Sequence, residues 1–246
     1  MDKLLKPRFS AGVLKWVAIA SMVIDHVNGM VLRPIFVGYL NAHLGEAVPW
    51  AIRALIVLNP VLDALGRIAF PIFAFQIAEG FTHTRNPRRY ALRLGLFALL
   101  AEIPYDLCHF HKPLDFALQN VLFTLLCGLL TLMALSAVSR RLAGKKGPLA
   151  LAGGLTILLG MGVAFLLRGE YVFLGVLSIS LFYLLRDNRA LRLLGLAPLL
   201  IVAPWVLLAA PFLYLYDGRP AGGSKYFFYI FYPAHFLVLW AIASFL

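Results

Sequence analysis

Asp25, His26, Glu102, Asp106 and His235 carry the chemistry of this chain, and each lies inside an apolar run. A charged group at mid-helix in a membrane costs about 2.5–3.5 kcal/mol on insertion scales, so such groups should face the bundle interior and serve a purpose. Asp25 and His26 fall roughly 17 Å along their run from Leu14, and Glu102 about 18 Å along its run from Tyr90. His235 falls about 14 Å into the last run from Tyr226. Glu102 and Asp106 are four apart and share a helix face, with Pro104 between them freeing a backbone carbonyl. Tyr232 and His235 are three apart and adjacent, beside Pro233. Two imidazoles and three carboxylates at one depth suit proton transfer near neutral pH, with Gln119 and Asn120 as nearby amide donors. The plainer alternative is a set of separate helix–helix hydrogen bonds that lock the bundle. Asp25 and His26 are consecutive, about 100° apart on a helix. Asp25 therefore partners either His26 or a group on another helix.

The elements that must position these groups follow from composition. Of 246 residues, 62% are hydrophobic and 13% charged, against about 25% charged in soluble domains. This excludes a soluble domain and predicts an all-α, polytopic membrane protein. The net charge of +11 does not point to nucleic acid, because the positives cluster in short groups between apolar runs. Cys108 and Cys127 lie at different depths, which excludes a disulfide, and two soft ligands are too few for a metal site.

Taken in order, the runs are 13–32, 66–81, 90–108, 116–138, 149–167, 171–185, 193–215 and 226–246. That is about eight spans with both termini cytoplasmic and a single membrane domain over 1–246. The first run resembles a signal peptide, but no small-residue cleavage site follows it, and it reads as a retained helix. Residues 48–62 are short of the roughly 20 needed to span and read as a re-entrant or interfacial helix on the outer face. This arrangement puts 15 Lys and Arg inside and 7 outside, the bias expected of cytoplasmic loops.

A second constellation, Glu79, His83, Arg85, Arg88 and Arg89, follows the second span. Its guanidinium groups either clamp phosphates or serve as a topology signal. Gly153, Gly154, Gly160 and Gly162 would let another helix approach closely, from this chain or from a second copy in a homodimer.

Several segments resemble the TraX family of membrane proteins. They are SMVIDH at 21–26, GRIAFPIFAFQIAEGFTHTRNPRRY at 66–90, LLAEIPYDL at 99–107, QNVLFTLLCGLL at 119–130 and KYFFYIFYPAHFLVLW at 225–240. At 169–176, GEYVFLGV departs from the Asp-Tyr-Gly type of sequence expected there. The resemblance implies a bacterial cytoplasmic-membrane acyltransferase, most simply an N-acetyltransferase. Its donor would be acetyl-CoA and its acceptor a peptide, sugar or lipid head group, a pilin-like N-terminus among them. His26 would deprotonate the acceptor or take the acyl group, and Asp25 or Glu102 would orient it, with His235 nearby. Acceptor and oxyanion contacts would come from Asn120, Gln119, Asp106, Tyr229, Tyr232 and Lys225, with the acceptor entering past Lys225 and Asp217 on the outer face. The phosphates of CoA would dock on Glu79, His83, Arg85, Arg88 and Arg89. The rival reading from the residues is a proton-coupled transporter using the same histidines and carboxylates as a relay. A third is a scaffold in a secretion or conjugation machine.

Overall fold

The computed structural model describes residues 8–220 and 225–245, the side chains of Lys225 and Tyr226 excepted. The described residues are helical, and the only β pairing among them is two isolated bridges. Three helical runs are long and apolar enough to cross a membrane, 50–83, Val121–Arg141 and Lys146–Leu166.

The first helix, α1 (Ala11–Val27), passes through a π-helical turn (Asn28–Leu32) into α2 (Arg33–Ala42). The chain returns through α3 (Trp50–Gly66) and α4 (Ala69–His83). Residues 48–62 are thus largely helical, but they belong to a long run continuous with the second predicted span. At about 1.5 Å per residue, the 34-residue run from Trp50 to His83 is some 50 Å long, well over a bilayer core of about 30 Å. Its break at Arg67–Ile68 has an identifiable cause. Pro71 offers no N–H to the carbonyl of Arg67, and its ring crowds that carbonyl. The Ser21 hydroxyl meets the carbonyls of Leu65 and Gly66 there, at 2.6 and 2.9 Å. The π turn is pinned to α3 by Asn28, which donates to Asp63 at 2.9 Å, and by the Arg33–Asp63 pair at 2.6 Å.

Helices α5 (Pro87–Phe110), α6 (Val121–Arg141), α7 (Lys146–Leu166) and α8 (Val172–Leu184) alternate in direction. Helix α6 starts at Val121 rather than at 116 because the Asn120 side chain caps it, accepting from the Leu122 N–H at 3.0 Å. Helix α4 is central, with Ile72, Ala74 and Phe75 almost fully buried against α1, α6 and α8. A Cβ on Gly175 would collide with Phe70 and Thr124, so only glycine lets α8 approach α4 and α6 there. Gly160 of α7 sits against Thr131 of α6, so one of the predicted small-residue contacts lies within the chain. Gly154 and Gly162 face open space.

The segment 193–215 departs from expectation. It forms two 3-10 helices (Leu191–Ile201 and Pro204–Ala209) and a short α9 (Ala210–Tyr214) that go in and come back. Near its start, Ser178 of α8 donates to the Gly195 carbonyl at 2.5 Å. At its close, the Arg192 guanidinium donates to the carbonyl of Leu213. Tyr216 then pairs with Phe9, and the N–H groups of Arg8 and Ala11 donate to Leu215 and Arg219 at 2.8 and 2.9 Å. The loop therefore lies at the end of the bundle that holds residue 8, not at the opposite end. The physical reason is proline and glycine. Pro198, Pro204, Pro211 and Gly195 interrupt the apolar stretch, which cannot run as one α-helix. In this loop Arg219 donates to Asp217 at 2.8 Å and holds its carboxyl below the usual carboxylate range.

The last helix, α10 (Lys225–Ala243), consequently runs parallel to α1 and α5. At one end Lys15 lies over Phe228, and Tyr229 stacks on Phe97 at 4.8 Å; further along, Phe236 meets Tyr105 and His109 of α5. Residues 217–220 and the start of α10 share the end of residue 8, and the end of α10 lies at the other.

Single cysteines test this course in membrane vesicles, with Cys108 and Cys127 replaced by alanine. Ser10→Cys and Pro220→Cys are expected to react with an impermeant maleimide from one side and Ser244→Cys from the other. Reaction of Pro220→Cys and Ser244→Cys from the same side would contradict the parallel course.

Candidate functional site

The parallel course of α1 and α10 brings their histidines together. His26 Nδ1 lies 2.7 Å from His235 Nε2, and the rings are near parallel, 5.0 Å apart. The tautomers follow from the third partner. His235 Nδ1 is 3.2 Å from the carbonyl of Phe231, which can only accept, so Nδ1 carries the hydrogen. His235 Nε2 then offers its lone pair to the Nδ1–H of His26. With both rings neutral, the free lone pair of the dyad is Nε2 of His26. A base held this way has a fixed tautomer and a fixed orientation. The ring of Phe236 packs on His26 at 4.7 Å. The π turn begins two residues beyond His26, a kind of irregularity frequent at functional sites.

Asp25 does not orient His26. It lies against Gly66, where a Cβ would strike its carboxylate, and the charge of Arg67 acts on it. Arg67 also acts electrostatically on Tyr171, which stacks on Phe70 at 3.5 Å. The charge of Arg67 reaches Glu170 and His26 as well. The turn that supplies Glu170 and Tyr171 is strained. Arg168 and Val172 have φ of 54° and 43°, and a positive φ is a genuine outlier for a β-branched residue. Arg67, counted from the sequence as an outer topology charge, is thus part of the site. Its position four residues before Pro71 was the available signal.

Glu102, buried to 7% exposure, accepts from the Asn120 side chain. The other amide hydrogen of Asn120 goes to the carbonyl of Ala98 at 2.8 Å, and its oxygen caps α6. Asn120 therefore builds the site and has no N–H left for an oxyanion. Asp106, fully buried, accepts from the Asp115 N–H at 2.7 Å and shapes the 111–120 loop. Gln119 is held by its backbone, donating to the Arg168 carbonyl at 3.0 Å. Both secure the far-end loops rather than face a substrate. Among the buried atoms that stay unpaired are Glu102 Oε1, Asp106 Oδ1 and the hydroxyls of Tyr105 and Tyr232. An unsatisfied buried polar group costs about 1–3 kcal/mol, so an adjacent donor and acceptor are places for a ligand. The His109 ring packs on Tyr105, tilted, with centroids 4.0 Å apart.

A cavity of about 410 Å³ opens between α1, α4, α5, α10 and the 216–220 loop. Glu79, His83, Tyr90, Arg93, Lys15 and Tyr229 line its polar part, and Ile19, Met22, Leu122 and Leu125 its apolar part. Phe231 and Tyr232 belong to its wall. Phe231 also stacks on His235 at 5.6 Å, and Tyr232 lies 5.5 Å from it, so the cavity ends beside the histidine pair. Of the expected phosphate contacts, Glu79 and His83 line the cavity, while Arg85, Arg88 and Arg89 are exposed outside it. Glu79 and Tyr216 both line the cavity. The Lys225 side chain lies outside the described residues. Its backbone and Asp217 lie at the cavity end, which removes the expected acceptor route past them on the outer face.

These features define an all-helical protein of the membrane type, with three candidate spans among the described residues and a partly buried histidine pair beside a cavity. The chain belongs more narrowly to the TraX protein family, whose model it matches over residues 10–243. This agrees with the resemblance carried by the AEGFTHTRN and YPAH segments. It is 28% identical over 265 residues to a probable fimbrial assembly protein FimC, serogroup H1, of Dichelobacter nodosus, with 97% of each chain covered. No solved structure matches it.

The Glu102–Asn120 contact makes a stability prediction. Asn120→Ala should cost about 1–3 kcal/mol by leaving a buried carboxyl without its partner, read as a lower Tm in detergent. Adding Glu102→Leu should recover part of that loss. A double variant as unstable as the sum of the singles would remove the coupling.

Proposed function

We propose that the chain is a membrane-embedded acyltransferase of the N-acetyltransferase kind. It moves an acetyl group from cytoplasmic acetyl-CoA to an amine or hydroxyl of an acceptor reached from the membrane or its outer face. The observation that carries this reading is the His26–His235 pair, with one free imidazole lone pair, packed against the Phe231–Tyr232 wall of a cavity opening at the basic end of the bundle. The relative named as a fimbrial assembly protein supports a pilin-like peptide N-terminus as acceptor. In the bacterial inner membrane the chain would cross seven times, with residues 191–214 re-entrant. Relative to eight spans, this moves Arg219 and Lys225 to the inside, so that 17 basic residues lie inside and 5 outside. The stronger bias supports this topology.

In this reading His26 Nε2 takes a proton from the acceptor as its nitrogen or oxygen attacks the thioester carbonyl. The developing imidazolium is stabilised by His235, which accepts from Nδ1. The oxyanion of the tetrahedral intermediate takes the hydrogen bond of Tyr105, whose hydroxyl is otherwise unpaired. Collapse breaks the C–S bond, and the departing thiolate receives the proton from His26 Nε2. The sum is acetylated acceptor plus free thiol.

The test is thiol release from acetyl-CoA by the purified protein in nanodiscs, with and without a pilin-like peptide. His26→Ala should lower the rate about 10²- to 10⁴-fold and Tyr105→Phe about 10²- to 10³-fold, with Tm preserved. A folded wild type that neither binds nor turns over acetyl-CoA would favour the proton-coupled transporter, whose relay would use the same histidines.

A further inference from the structure

The cavity holds more positive charge than its own carboxylate can balance. Lys15 of α1 and Arg93 of α5 both line it. Lys15 sits with Nζ 3.1 Å from the ring centroid of Phe228, a contact that holds a cation without neutralising it. Arg93 lies beside Tyr229 in the cavity lining, and its buried Nε has no partner. Among the described residues neither cation has a carboxylate within ion-pair distance. The one acid lining the cavity, Glu79, lies 3.9 Å from His83. A guanidinium and an ammonium facing one cavity, with an unused N–H and two tyrosines, Tyr90 and Tyr229, suit phosphate oxygens. Behind them the walls are apolar, from Ile19 and Met22 to Leu122 and Leu125. A ligand that fits has an anionic phosphate head and an apolar or neutral tail directed at Tyr232.

We infer that Lys15 and Arg93 form a phosphate-binding site for a molecule of this kind, separate from the exposed Arg85, Arg88 and Arg89. Two sources share the chemistry, the nucleotide end of an acyl-CoA and the head group of an anionic phospholipid. The choice of CoA as a probe rests on the acyltransferase reading, whereas the site itself does not.

The experiment compares wild type with Lys15→Gln/Arg93→Gln, the charge-preserving Lys15→Arg/Arg93→Lys, and Arg140→Gln/Arg141→Gln as a distant basic control. CoA and pantetheine binding are measured by thermal shift and calorimetry in zwitterionic nanodiscs. Retained phosphatidylglycerol is measured by native mass spectrometry from mixed-lipid nanodiscs. The neutral double variant should lose CoA affinity about 10- to 100-fold with pantetheine affinity unchanged, or should lose retained phosphatidylglycerol. Loss of the first identifies the nucleotide and loss of the second the lipid head group. The charge-preserving pair and the distant control should behave as wild type in both assays. Unchanged CoA binding together with unchanged lipid retention in the neutral variant overturns the site. So does a wild type that holds neither ligand, or a charge-preserving pair that loses both while remaining folded. The acyltransferase reading fails separately, when CoA binds through these residues and no His26-dependent thiol is released.

Discussion

The hydrogen bond from His26 Nδ1 to His235 Nε2 constrains the topology around it. Both rings project from helices that start at the same end of the bundle, so α1 and α10 must run parallel. The chain between them must therefore return to the end where α1 begins before α10 starts. The apolar segment 191–214 meets that requirement by turning back. Arg192 ties the turn shut by donating to the carbonyl of Leu213 and packs its guanidinium 5.3 Å from the ring of Phe75. The Phe9–Tyr216 bridge then delivers the chain to the start of α10. The dyad, the re-entrant segment and the position of the last loop are one structural decision expressed in three places.

Irregular backbone concentrates near the depth where the polar groups meet. The π turn follows His26, the Pro71 break exposes Arg67, and the strained turn before α8 presents Glu170 and Tyr171. Irregular backbone in a membrane is tolerated where it is buried in protein or lines a cavity. Here each break has a local partner for its freed groups, such as Ser21 at the carbonyls of Leu65 and Gly66. Regular helices alone would set side chains at fixed 100° steps. The breaks let α1, the α3–α4 junction and the α7–α8 turn aim polar side chains at one region while their helices pack on lipid or on each other.

Much of this was legible in the residues. Composition gave the all-helical class, the cost of a buried charge marked His26, Glu102 and His235, and spacing paired Tyr232 with His235. What could not be read was direction and partnership. The stretch 193–215 is as apolar as a span, and only the close spacing of Pro198, Pro204 and Pro211 argues against one. Asn120 looked like a free amide donor because nothing local announces that its two N–H groups go to Ala98 and Glu102, 22 and 18 residues away. Arg67 looked like a loop charge because Pro71 signals a break without saying which side chain the break turns inward. The cations of the cavity were likewise hidden. Lys15 reads as an inner topology charge at the start of the first run and Arg93 as the tail of the basic block, and only helix packing sets them facing one space.

The two ends of the bundle differ in electrostatic character, and the difference gives the site a direction. Arg67 at the far end acts electrostatically on Asp25 and Glu170, so carboxyl groups and a guanidinium share that region. At the basic end Lys15 and Arg93 are unbalanced, which favours entry of an anion from that side alone. The wall formed by Phe231 and Tyr232 lies between the two regions, with the histidine pair against it. A ligand drawn in by its phosphates would therefore present its opposite, uncharged end to His26. In a low-dielectric interior the field of two unpaired cations falls off slowly, so it also opposes a positive charge arriving from the cavity. In the proposed reaction, an acceptor reaching His26 as a cation would thus be directed to the carboxylate-bearing side, away from the path of an anionic donor.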